Sequence, residues 1–153
     1  MEYNLPSELF KDLNFGEEAE NRVIAGVNKL AKAVKSTLGA SGKCVIYEDG
    51  RGKPVITKDG VTVAESVVLF DPVENMGATL VKEAARNTVR EAGDGTTTAT
   101  VLVEALINSI RFAVAAGVSI REIKNGVNQC LAEVIEYLDS TAIEVEGDML
   151  KAV

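Results

Sequence analysis

Histidine is absent from this 153-residue chain. That removes histidine acid–base catalysis, Ser-His-Asp triads and histidine metal sites. Tryptophan is also absent and aromatics reach only 5%, so Ala, Val, Ile and Leu must build the core. The two cysteines, Cys44 and Cys130, form no CxxC pair, which argues against a zinc site. Two thiols fit a reducing cytosol, although their number alone permits a disulfide. The chain opens with no basic-plus-apolar signal, and it is read as cytoplasmic. It has no run of about 18 uncharged apolar residues, so no membrane span is expected. The longest candidate, Thr96 to Ala116, carries Glu104, Asn108 and Arg111. Positive charge is in deficit, with 16 Lys and Arg against 23 Asp and Glu and a net charge of −7. That argues against a nucleic-acid backbone as the main partner, because such binding runs on Lys and Arg neutralising phosphates. Lys29, Lys32 and Lys35 recur at three-residue spacing and read as a solvated helix face.

What is present is ordinary in bulk and informative in pattern. The length suits one domain able to bury roughly 70% of its unfolded surface. Ala19, Val23, Val27, Leu30, Val34 and Leu38 step by three or four, which predicts a helix from Gly16 to Leu38, stopped by Gly39. Cys44–Tyr47 and Pro54–Thr57 flank Asp49-Gly50-Arg51-Gly52 and read as a β-hairpin. Val61 to Leu69 is β-branched and apolar and reads as a short strand. Pro72 opens a second helix to about Ala92, with Met76, Leu80, Ala84 and Thr88 on one face. A third helix, Thr96 to Ala116, is apolar nearly all round and is expected to be the central buried one. Ser119 and Glu122 form a capping box for a fourth, whose stripe is Ile120, Ile123, Val127, Leu131, Val134 and Leu138. The expected fold is mainly α, with four helices and a small hairpin.

The most telling segment is Gly93-Asp94-Gly95-Thr96-Thr97-Thr98, where one helix ends and a very apolar one begins. A helix start offers unpaired N–H groups and a positive dipole end. Two glycines let a ligand approach the backbone, and three threonines add hydroxyls. The combination suits phosphate oxygens. Asp94 would repel a bare phosphate but fits if Mg²⁺ bridges it to one. The same residues also suit a purely structural role, with Asp94 capping the helix. Thr37-Leu38-Gly39-Ala40-Ser41-Gly42-Lys43 is a small-residue turn that reads either as a backbone wall against phosphate or as a plain helix stop. It lacks P-loop spacing. Thr57-Lys58-Asp59-Gly60 offers a cation for phosphate and a carboxylate near metal or water, or simply a turn.

In this order and spacing the three segments resemble the nucleotide-binding elements of group I (GroEL-type) chaperonins. The resemblance also takes in Gly26-Val27-Asn28, Glu74-Asn75-Met76-Gly77-Ala78, Val81-Lys82-Glu83, the run from Ala92 to Leu102 and Ala113 to Gly117. It covers nearly everything after Phe15. Lys58 in the TKDG position is similar to the bacterial, organellar or phage type. The resemblance implies a multihelical fold like half of a chaperonin equatorial domain, with ATP and Mg²⁺ as cofactors. Thr37, Leu38, Gly39 and Ala40 match the loop that wraps the nucleotide, and Lys58 matches a residue near the phosphates. Gly95, Thr96, Thr97 and Thr98 match the phosphate-binding helix start, Asp94 the magnesium ligand, and Asp59 an auxiliary catalytic carboxylate. The hairpin matches an element that pairs with a neighbouring ring subunit. Ala40 stands where the family usually has Pro.

By the same resemblance, residues 1–14 are an N-terminal lead-in or extension. Residues 15–140 are the first half of the equatorial ATP-binding domain, and 141–153 begin an intermediate domain and stop. The expected partners are other chaperonin subunits in a ring. Unfolded proteins and a co-chaperonin would be met only through an apical domain the chain lacks. The half that supplies the family's base-like catalytic aspartate is also lacking, so efficient ATP turnover by this chain alone is not expected. The expected function is that of the nucleotide-binding portion of an ATP-dependent folding chaperonin subunit. The alternative is a short module that joins chaperonin rings without hydrolysing ATP itself.

Overall fold

A computed structural model describes residues 12–145 and 147. It contains α1 (Gly16–Lys35), β1 (Val45–Glu48), β2 (Pro54–Thr57), α2 (Gly60–Ser66), α3 (Pro72–Ala92), α4 (Thr96–Ala115) and α5 (Ile120–Thr141). The chain divides into two compact units, Met1–Asn108 and Ser109–Val153. The lead-in expected over residues 1–14 lies outside the described residues except for Asp12–Asn14, as does most of the segment expected to begin a further domain.

In the first unit, α1 carries Glu17 and Glu18 in its first turn and Lys32 and Lys35 in its last, which complements the helix dipole. Its buried face is Ile24, Gly26, Val27, Leu30, Ala31 and Val34. The helix ends at Lys35, and Leu38, expected on the stripe, is 47% exposed in the turn beyond it. β1 and β2 pair antiparallel, with Ile46 opposite Ile56. Asp49 closes their turn by accepting the N–H groups of Arg51 and Lys53.

The strand expected at Val61–Leu69 is instead a helix. Asp59 caps it by accepting the Thr62 N–H, and Val63 and Ala64 are buried in the core. Local capping and burial outweigh β-branched composition here.

The buried face of α3 also differs from the expected one. Met76 and Leu80 are mostly exposed, while Val73, Gly77, Ala78, Val81 and Ala85 are buried. The reason is the distance between backbones. A Cβ on Gly26 would fall 1.8 Å from the Glu74 carbonyl oxygen, and one on Gly77 would fall 2.0 Å from that of Val23. α1 and α3 therefore meet through their smallest residues. Arg22 locks the start of the contact. Its guanidinium forks onto Asp71, which also caps α3 by accepting the Val73 and Glu74 N–H groups.

α4 is not the buried central helix. Only Thr96 and Thr100 are buried along it. Val103 and Ile107 pack on the core, whereas Leu102 and Leu106 are exposed. By length and composition α4 could cross a membrane, with a mean hydropathy of 1.4. Two of its polar residues are nonetheless engaged by α1: Glu104 pairs with Lys35, and Asn108 donates to Asn28 at 3.0 Å.

In the second unit, the Ser119–Glu122 capping box is present as expected. α5 has no buried residue, and Leu131, Val134 and Leu138 of its predicted stripe are about half exposed.

Candidate functional site

α3 ends on Gly93, whose left-handed backbone (φ 78°) turns the chain, with its N–H on the Val89 carbonyl at 2.8 Å. Asp94 follows, exposed, with Oδ1 accepting the Gly95 N–H at 2.6 Å. Gly95 is again at positive φ (88°). Its carbonyl takes the Ala99 N–H as the first helical hydrogen bond of α4. The N–H groups of Thr96, Thr97 and Thr98 thus form the unpaired first turn of a helix. A Cβ on Gly93 would meet nothing within 4 Å, so the approach to this turn is open. The three threonines are not equivalent: Thr96 is buried, Thr97 half-buried and Thr98 exposed.

The TKDG segment reaches the same place. Gly60 is buried, and a Cβ built on it would lie 2.1 Å from Thr97 Oγ1 and 3.5 Å from Val34 Cγ1. Val34 in turn anchors the TLGA turn: its carbonyl accepts the Thr37 N–H at 3.0 Å and the Thr37 hydroxyl at 2.8 Å. The turn then folds back on itself. Gly39 sits at φ 75°, Gly42 N–H donates to the Gly39 carbonyl and Lys43 N–H to that of Ser36. Leu38, Gly39 and Ala40 are exposed. The TKDG segment and the start of α4 therefore meet at Gly60 and Thr97, and the TLGA turn leaves α1 three residues after Val34, whose side chain lies beside Gly60.

Lys58 is exposed between β2 and α2. Asp59 is occupied as a cap. Its Oδ2 accepts both the Thr62 N–H at 2.8 Å and the Thr62 hydroxyl at 2.5 Å, and its own N–H donates to Thr57 Oγ1. The Thr62 hydroxyl, helped by its N–H, holds the Asp59 carboxyl below the ordinary carboxylate value. Thr62 was missed from sequence, although an Asp followed three residues later by Thr ahead of an apolar pair is a helix-start signal.

The residues fit a magnesium–phosphate group in chemistry. Among the described residues no set of three or more carboxylate or thiol side chains could hold a metal by itself. A Mg²⁺ ion at Asp94 would therefore need phosphate oxygens as further ligands, which is the habit of that ion. Two of the clefts among the described residues lie away from this place. One of about 490 Å³ is lined by Glu17, Glu18, Arg22 and Glu74. One of about 710 Å³ lies between the hairpin and α2, lined by Tyr47, Glu48, Thr62 and Glu65 among others. Neither contains a predicted site residue.

A family model described as the TCP-1/cpn60 chaperonin family matches residues 30–153. That span holds every residue of the three segments and most of the chain, and it is on this match that the chain belongs to the TCP-1/cpn60 chaperonin family.

Proposed function

We propose that the chain binds ATP through its phosphates at the start of α4, with Mg²⁺, as the nucleotide-binding portion of a folding chaperonin subunit. The observation that carries this reading is the contact of Gly60 with Thr97, which brings the TKDG segment against the start of α4, with Val34, at the end of the helix that leads into the TLGA turn, beside it. In this reading the first-turn N–H groups and the Thr97 and Thr98 hydroxyls donate to phosphate oxygens, and Asp94 holds the ion. Mg²⁺ supplies charge neutralisation and polarisation of the phosphates. Lys58 adds a second positive charge near the anion. The TLGA turn supplies a backbone wall, freer at Ala40 than a proline would make it. Asp59 keeps its negative charge at neutral pH and serves as an auxiliary carboxylate beside the reacting phosphate.

Lys58 in the TKDG segment favours the group I type. The partners in this reading are further chaperonin subunits in a ring, met in part through the hairpin. The free, exposed thiols of Cys44 and Cys130 fit a reducing cytoplasm. Calorimetric titration of the chain with Mg-ATP tests the proposal, with Asp94→Ala as control. Saturable binding that Asp94→Ala weakens at least tenfold is expected, and heat changes identical in the two proteins contradict it.

A further inference from the structure

We infer that Gly60 is a positioning residue for the phosphate site: by having no side chain it leaves the room that the Thr97 hydroxyl occupies. The inference rests on the phosphate reading above and adds a residue to it.

Gly60 is a poor choice on local grounds. It is the first residue of α2, where alanine would form helix better. Its φ lies outside the left-handed region, since it is not among the glycines at positive φ. No turn geometry therefore asks for glycine. What the missing Cβ makes room for is specific. The nearest atom to it would be Thr97 Oγ1 at 2.1 Å, then Thr97 Cβ at 3.4 Å and Val34 Cγ1 at 3.5 Å. Only the hydroxyl lies closer than van der Waals contact, so the glycine accommodates the hydroxyl rather than the backbone of α4.

Compare Gly26 and Gly77. At those positions the close atoms are carbonyl oxygens of a neighbouring helix, which cannot move without the helix. Oγ1 of Thr97 can move by rotation about a single bond. A β-branched side chain has few allowed rotamers, so that rotation carries the hydroxyl to a different direction rather than a slightly shifted one. Gly60→Ala should thus leave the fold intact and re-aim one hydroxyl at the helix start.

The experiment uses the full chain with Mg-ATP as the probe and four proteins: unmutated, Gly60→Ala, Thr97→Ala and the double variant. Thr97 χ1 is read in the unmutated and Gly60→Ala proteins, without nucleotide, from three-bond couplings of its methyl carbon. The expected result is a changed rotamer in Gly60→Ala, about tenfold weaker Mg-ATP binding, an unchanged melting temperature, and no further loss when Gly60→Ala is added to Thr97→Ala. An unmoved rotamer overturns the inference. So does a Gly60→Ala loss that persists in full in the Thr97→Ala background. An unmutated chain that binds no Mg-ATP overturns the phosphate reading itself and the positioning role with it. Binding by the unmutated chain that Gly60→Ala leaves equal overturns the positioning role alone.

Discussion

Asp71 uses one carboxylate for two purposes. It caps α3 and receives the Arg22 fork from α1. The Arg22 guanidinium, ahead of the two backbone N–H groups, holds its carboxyl below the ordinary value of 3.8. A carboxyl depressed in the folded state stabilises the fold at pH values above its unfolded pKa. That stabilisation is lost as pH falls through the folded value. Asp59, held by Thr62, acts in the same direction. Stability should therefore fall below about pH 4. Asp71→Asn should lower stability at pH 7 and flatten that acid loss, as urea unfolding at pH 7 and pH 3 would show. Equal acid slopes in the two proteins would contradict this role.

At the scale of elements, the α1–α3 contact is the tightest in the first unit. Gly26→Ala or Gly77→Ala places a methyl group inside a carbonyl oxygen's radius, so each should destabilise by about 1–3 kcal/mol or more. Gly126 in α5 has open space within 4 Å of where a methyl group would sit, and Gly126→Ala should stabilise by about 0.5–1 kcal/mol. Thermal unfolding of the three variants checks the opposite signs. The same contact shows why sequence reading succeeded in part. Helix existence was legible: Pro72 and Gly93 bound α3, and Ser119 with Glu122 opens α5. The packing face of α3 was not, because hydrophobic size points to Met76 and Leu80 whereas close approach selects Gly77 and Ala78. α2 was hidden by β-branched residues whose capping partner, Thr62, looked like part of a strand. The phosphate segments were legible as motifs. The meeting of two of them at Gly60 was not, since nothing in a linear pattern shows that a glycine without positive φ faces a threonine 37 positions later.

At the scale of the whole molecule, apolar surface is left open. Leu102 and Leu106 on α4 are exposed, and α5 exposes Leu131, Val134, Ile135 and Leu138. Contiguous apolar patches of several hundred Å² drive association. Sedimentation velocity should show concentration-dependent association, and Leu131→Lys with Leu138→Lys should shift it toward monomer. A single monomeric species at every concentration would contradict this.

The central claim is that phosphate is held by the first turn of α4. Amide-resolved NMR during titration with Mg-ATP, compared with adenosine, tests it most directly. The account predicts large, saturable shifts of the Gly95, Thr96, Thr97 and Thr98 N–H signals with Mg-ATP and none with adenosine. Unmoved signals at those four amides, whatever moves elsewhere, would contradict it.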